Sequence, residues 1–237
     1  MIALSSPSWR ALLPREHGLV AWVVLPQVAA VALAPRTWGA GIAVLAGFGL
    51  FNAARRGGLG AEAIATGFVA VVGFASVLAG APEAAGSVLL AAAAAAIALQ
   101  GPIARSALVE VGAIAGMALL AWLQACLGGA APARAAAVLT ALAAWQLCGL
   151  AWVQAVLAGI LPGRQADAWA PTVAALAVLA AVLAAAWADR PLAGMLAAAY
   201  PLRALSHPPA ARPGDVRRVG MEEGAWSVAV LVGLLLA

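Results

Sequence analysis

Long apolar stretches, separated by short breaks that contain arginine, glycine or proline, run through this chain of 237 residues. Typical breaks are Arg55-Arg56-Gly57-Gly58 and Pro162-Gly163-Arg164, and glycine and proline are the usual punctuation at helix ends. Each stretch has close to the ~20 residues that an α-helix needs to cross a bilayer. The pattern therefore predicts nine helical spans, at residues 18–34, 37–53, 61–81, 85–100, 106–128, 135–160, 168–187, 190–205 and 220–237.

The composition places the chain among membrane proteins. Hydrophobic residues make up 65% of it and charged residues 9%, whereas about a quarter of the residues in a soluble domain are charged. In lipid the backbone must satisfy its own hydrogen bonds, which helices do within one segment. We therefore expect an all-α, polytopic transmembrane helix bundle that forms a single integral membrane domain over residues 1–237.

The arginines predict the orientation of the bundle. All 13 basic residues are arginines, and with a cytoplasmic N-terminus ten of them lie inside, leaving Arg36, Arg134 and Arg190 outside. Cytoplasmic loops carry an excess of basic residues, so nine spans place the C-terminus outside. The net charge of +4 then reflects this topology and attraction to anionic lipid headgroups. Nucleic acid is not an expected partner, because the arginines form no run with interleaved aromatic residues.

Polar residues at the predicted cytoplasmic ends are candidate site residues. Asn52 and Arg55 close the second span, Glu62 opens the third, and Glu110 lies one turn into the fifth, just after Arg105. A carboxylate within the hydrocarbon edge is costly, so we expect Glu110 to face an arginine, a polar partner or a wet cavity. A structural ion pair and a ligand-facing role both satisfy that requirement, and simple snorkelling of the side chain to the interface is the third interpretation.

Two cytoplasmic clusters contain the remaining candidates. The first is Pro14-Arg15-Glu16-His17-Gly18 at the entry to the first span, and the second runs from His207 to Trp226 and includes Arg217, Arg218 and Glu222. In one interpretation, Glu16 complements the helix dipole and His17 simply lies at the membrane interface. In the other, the two residues bind an anion, a metal or a transferable proton. The helical His and Glu spacings typical of metal sites do not occur, so no metal site is expected. We predict that one cytoplasmic pocket is lined by His17, Glu62, Glu110, Arg217 and Glu222. The alternative is that these side chains lie far apart and each anchors its own helix independently.

Residues inside the spans predict packing. Gln146 and Gln154 indicate that the sixth span is interior, and Trp145 and Trp152, seven residues apart, mark one face of it. Interhelical packing and hydrogen bonds explain them better than a stacking platform does. Gly112 and Gly116 form a G-x-x-x-G pattern for close packing within the monomer, and Cys126 and Cys148 lie at different depths, which argues against a disulfide.

Several of these motifs carry a family resemblance. The first cluster with Trp22 and Pro26, the stretch from Ala104 to Gly112, and Arg217-Arg218-Val219-Gly220-Met221-Glu222 resemble the YwiC-like family of bacterial membrane proteins over nearly the whole chain. The resemblance implies a multi-pass protein of the bacterial cytoplasmic (inner) membrane. It implies no activity, although members of the family occur near nitrate-respiration and denitrification genes.

The nine spans and polar cytoplasmic face also resemble the UbiA prenyltransferase superfamily in architecture. Asn52 stands where that family begins its first aspartate-rich motif, but Ala53-Ala54-Arg55-Arg56 follow it here. Prenyl transfer needs clustered carboxylates that hold magnesium on the diphosphate. Because these carboxylates are missing, ordinary prenyl transfer is not expected.

The first functional hypothesis is a non-catalytic accessory or assembly factor for a respiratory system of the nitrate or denitrification type, which holds an anionic amphiphile at its cytoplasmic face. The alternative is a transporter of a small anion or metal, in which Glu110, Gln146 and Gln154 line the path. The second alternative is a divergent UbiA-like lipid-processing enzyme that uses His17 as acid or base. The sequence names no cofactor for any of these.

Overall fold

The structure, a computed structural model, describes residues 17–55, 107–160, 170–187, 190–206 and 215–236. These residues form seven α-helices and no strand, which confirms the all-helical prediction for this part of the chain. The helices are α1 (His17–Leu33), α2 (Trp38–Arg55), α3 (Ala107–Leu127), α4 (Pro132–Ile160), α5 (Ala170–Trp187), α6 (Pro191–Ser206) and α7 (Asp215–Leu236), with a short 3-10 turn at Pro35–Thr37. The spans predicted at 61–81 and 85–100 lie outside the described residues.

The seven helices coincide with seven of the predicted spans, with two notable differences at their starts. Helix α4 begins three residues earlier than predicted, at Pro132, because proline suits the first helical position, where no backbone donor is needed. Helix α7 begins at Asp215 rather than at residue 220. Its first turn contains charged residues that the apolar pattern excluded, and an acidic residue at a helix start complements the helix dipole.

Helix α4 is the central element of the described bundle. It packs against α1, α3, α5, α6 and α7, and its buried residues include Val138, Leu142 and Trp145. Gln146, in the middle of α4, is also buried. The prediction that glutamine marks this helix as interior is confirmed.

Helices α1, α2 and α3 pack side by side, with α2 antiparallel to the other two. Val23 of α1 packs in one cluster with Met117 and Leu120 of α3, and just after the two helices end Ala34 meets Gly128. These two contacts show that α1 and α3 run in the same direction. Helix α2 runs back along them, because it follows α1 after a short turn and its later residues Val44, Leu45 and Phe48 pack against the cluster that contains Val23.

Helix α4 runs antiparallel to α7 and lies against α1. Its Trp145 bonds to Ser227 of α7, and its Gly149, one turn later, meets Glu223, one turn earlier on α7. The starts of α1, α3 and α7 and the ends of α2 and α4 therefore lie at one end of the bundle, here called the proximal end. The opposite, distal end holds the 3-10 turn and the α3–α4 turn.

The surface of the bundle is apolar and its interior contains polar residues. Large apolar residues are exposed on nearly every described helix, whereas the buried polar or charged residues are Gln27, Gln124, Gln146, Arg190, Glu223 and Ser227. Among the described residues, one segment, Pro132–Trp152, has both the length and the apolar composition of a membrane-crossing helix; the shorter apolar segments are Ala21–Leu33, Ile114–Leu127 and Leu176–Trp187.

Replacing Gly128 by alanine should destabilise the distal end. A Cβ atom at Gly128 would lie 2.6 Å from the Cβ of Ala34 and would also meet Thr37, and such overpacking costs about 1–3 kcal/mol. Gly116→Ala, within α3, is the matched control, because no described residue lies within 4 Å of a Cβ at that position. Thermal unfolding of the purified variants should show a lower Tm for Gly128→Ala alone. Equal Tm values would contradict the packing of α3 on α1.

Candidate functional site

The backbone gathers seven of the predicted site residues at the proximal end. They occupy the first residue of α1, the last turn of α2, the first turn of α3 and the early turns of α7: His17, Asn52, Arg55, Glu110, Arg217, Arg218 and Glu222. Helix α1 contacts α2, α3 and α7, so these residues belong to adjacent helices. Arg15, Glu16, Glu62, Arg105 and His207 lie outside the described residues. The shared pocket stays a prediction.

Arg218 and Glu222 form an ion pair on the outer surface of α7. The Nε atom of Arg218 lies 2.8 Å from Oε1 of Glu222, one helical turn away, and the two side chains are 77% and 38% exposed. Pairs of this kind in helices contribute only about 0.3–0.5 kcal/mol. Arg218 can therefore be replaced without loss of the fold, which makes it suitable for tests of binding.

Glu223, the neighbour of Glu222, is the buried carboxyl group of this region. It is 8% exposed and lies against Gly149 of α4, where a Cβ atom would come within 2.6 Å of its carboxyl carbon. Successive residues of a helix point about 100° apart, so Glu222 and Glu223 face different surroundings. Glu222 was a predicted site residue and Glu223 was not. The four-residue spacing of Glu223 and Ser227 is the signal that could have identified the inward face.

Glu223 belongs to a polar layer between α1, α4 and α7. The indole Nε1 of Trp145 donates a buried hydrogen bond of 2.7 Å to Oγ of Ser227, and the Trp145 and Trp226 ring centroids are 6.3 Å apart. The amide Nε2 of Gln146 donates to the backbone oxygen of Ala21 at 3.2 Å. Trp145 thus acts in packing and hydrogen bonding, as expected. We call Trp145, Gln146, Gly149, Glu223 and Ser227 the proximal polar layer.

The position of Glu223 defines what this layer can do chemically. Glu223 is eight residues into α7, or about 12 Å from the helix start at 1.5 Å per residue. A buried carboxylate is costly unless it is hydrogen-bonded or paired. The proximal polar layer therefore places a titratable group in the bundle interior, below the charged rim that contains Arg218.

Two other sequence features occupy ordinary positions. Cys126 is partly buried and Cys148 is buried, and neither forms a disulfide bond. Gly112 and Gly116 have no described residue within 4 Å of where a Cβ atom would be. The described helices therefore do not provide the close contact that the G-x-x-x-G pattern predicts; close contacts occur at Gly128, Gly149 and Gly194 instead.

No family model, curated protein or solved structure matches this chain. The resemblance to the YwiC-like family stays a prediction based on the motifs quoted above.

Replacing Gly149 by alanine should destabilise the protein by about 1–3 kcal/mol, because the new methyl group would overlap the Glu223 carboxyl group. Thermal or denaturant unfolding of the purified protein measures the loss. Adding Glu223→Ala should recover part of it, so that the two changes together cost less than their sum.

Gly224→Ala is the control for this cycle. It lies beside Glu223 on α7 but has no described neighbour within 4 Å of an added Cβ. Its stability should equal or exceed that of the unaltered protein, because alanine is favoured over glycine in helices by roughly 0.5–1 kcal/mol. Strictly additive losses for Gly149→Ala and Glu223→Ala would show that the two residues do not touch.

Proposed function

We propose that this chain is a multi-pass protein of the bacterial inner membrane, non-catalytic, that holds an anionic amphiphile at its proximal, cytoplasmic end as an accessory or assembly factor for a respiratory system. The observation that carries the proposal is a surface stripe on α7. The stripe begins with Arg218 and continues at helical spacing with Met221, Val228 and Val232, all exposed. An arginine above an apolar strip fits an anionic head group and its tail.

The outer surface supports the membrane setting. On α5, Leu176, Leu179 and Leu183 share one face and are all more than half exposed. Exposed apolar area costs about 25 cal/mol per Å² in water and nothing comparable in lipid. Because the buried side chains of the same bundle include glutamines and a glutamate, a lipid environment accounts for the distribution better than water does.

The arginines support the cytoplasmic assignment of the proximal end. Arg36 and Arg134 adjoin the distal end, in the 3-10 turn and at the start of α4, and in the proposed topology Arg190 before α6 lies on the same side. In the same proposed topology the other ten arginines lie within or beside the helix ends on the proximal side, or in the segments that adjoin those ends in sequence. Positive residues are enriched in cytoplasmic loops, so the proximal end is the cytoplasmic one in this proposal.

The transporter alternative draws support from the proximal polar layer. Glu223 and Gln146 are buried in the interior of the bundle rather than on its rim, and buried ionisable groups in membrane proteins commonly mark solute or proton pathways. The layer would take a cation or proton more readily than an anion. It would be reached from the same end as the amphiphile.

Single cysteines at Ala54 and Ala131 should be labelled from opposite sides of the membrane. Ala54 lies at the proximal end of α2, and Ala131 is exposed in the α3–α4 turn at the distal end. The labelling uses an impermeant maleimide on intact and on opened cells, in a variant without Cys126 and Cys148. The cysteine at position 54 should react only in opened cells, and the cysteine at position 131 should react in intact cells as well. Labelling of both positions from one side, or recovery of the protein in the soluble fraction, would overturn the membrane assignment.

Removal of the proximal arginines should abolish retention of anionic lipid. The variant with Arg217→Gln and Arg218→Gln, purified gently and examined by native mass spectrometry in mixed phosphatidylglycerol and phosphatidylcholine, should lose bound phosphatidylglycerol, because charge attraction holds the head group. The control variant, Arg36→Gln with Arg134→Gln, alters two exposed arginines at the distal end and should retain it. Equal loss in the two variants, or no retention in the unaltered protein, would contradict the proposed site.

A further inference from the structure

Two buried glutamines in the distal half of the bundle have amide atoms without partners. Gln27 of α1 is 1% exposed, and neither its Oε1 nor its Nε2 atom has a hydrogen-bond partner. Gln124 of α3 is 1% exposed, and its Nε2 atom donates to the backbone oxygen of Thr37 at 3.1 Å while its Oε1 atom has no partner. Three strong hydrogen-bonding atoms are therefore unsatisfied in the interior.

Both glutamines border one junction between α1, α2 and α3. Val23, one turn before Gln27, packs with Leu120, one turn before Gln124, against residues of α2. On α2, a Cβ atom at Gly41 would lie 3.2 Å from Val31, one turn after Gln27, and 3.6 Å from Nε2 of Gln124. The faces of α1 and α3 that carry the two amides thus meet beside a glycine of the third helix.

The chemistry of the junction specifies an uncharged ligand. Leaving a buried donor or acceptor unsatisfied is costly, and internal waters typically bond such groups. Around the junction, α1 and α2 contain no Asp, Glu or Lys, α2 has an arginine only at its last residue, and α3 contains one glutamate near its start. The two carboxamides present two oxygen acceptors and one NH₂ donor, a set that suits a molecule able both to donate and to accept.

We propose that Gln27 and Gln124 form a binding site for a small uncharged polar molecule, occupied in the isolated protein by ordered water, at the junction of α1, α2 and α3. The ligand donates to the Oε1 atoms of Gln27 and Gln124 and accepts from Nε2 of Gln27. This site lies in the distal half of the bundle and does not depend on the proposed amphiphile at the proximal end.

Radiolytic hydroxyl-radical labelling of the full-length protein tests the site. Radicals formed from bound water oxidise adjacent side chains even when a scavenger removes radicals from bulk solvent. Met117 is the reporter, because it is buried and packs with Val23 and Leu120 beside the junction. We expect oxidation of Met117 in the unaltered protein and its loss to background in Gln27→Leu. Gln146→Leu is the matched control, since it removes an equally buried glutamine from the proximal polar layer and should leave the oxidation of Met117 unchanged.

Two results would overturn the proposal. One is an unaltered protein in which Met117 is not oxidised, which would mean that the junction is dry and that the two amides bond directly to each other. The other is equal oxidation of Met117 in the unaltered protein and in folded Gln27→Leu, which would place the water elsewhere. The measurement on the unaltered protein decides the first point even where the leucine variant does not fold.

Discussion

The need to satisfy polar side chains inside an apolar bundle determines how the central helices are aligned. Trp145 and Gln146 are adjacent on α4, so they point about 100° apart, and each donates a hydrogen bond to a different helix, to Ser227 of α7 and to Ala21 of α1. A donor left unsatisfied in the interior loses its hydration without compensation. A shift of α1 or of α7 along α4 would break one of these two hydrogen bonds. Hydrophobic packing alone, with so much alanine in the core, would distinguish far less between alternative alignments.

The positions of the helices could be predicted from the sequence because the signals are local. Apolar length and the proline, glycine and arginine breaks lie within the segments that they define, and the described helices begin and end close to the expected residues. The start of α7 is the largest difference, because charged residues continue a helix without continuing its apolar pattern. Whether a given charged side chain is buried depends instead on residues that are distant in the sequence. Arg190, which the sequence places in an outer loop without indicating its burial, is buried where its backbone N–H bonds to Ala185 at the end of α5, and a cation is favourable at that end of a helix.

The same distinction applies to the candidate site. The common location of His17, Glu110 and Arg218 at one end follows from alternating helix directions, which the sequence predicts. The choice between Glu222 and Glu223 requires knowing which face of α7 meets α4, and Gly149 is the residue that permits the contact. Motif reasoning favoured the paired Gly112 and Gly116. Close approach between the described helices occurs instead at single glycines, because it depends on the shape of the opposite helix and not on spacing within one helix.

Helix α1 connects the polar features at the two ends of the bundle. Its Ala21 carbonyl accepts a hydrogen bond from Nε2 of Gln146 in the proximal polar layer. Gln27 lies six residues, or about 9 Å, further along the helix. Pro26 lies between them in the same helix, and because proline has no backbone N–H, the carbonyl of Trp22 cannot receive its usual helical hydrogen bond. Polar groups therefore occur at successive levels along α1. An amphiphile held at the rim would not contact these inner polar groups. A solute or proton that enters the bundle would meet them one after another. Helix α1 is therefore the helix on which the binding and transport hypotheses differ most.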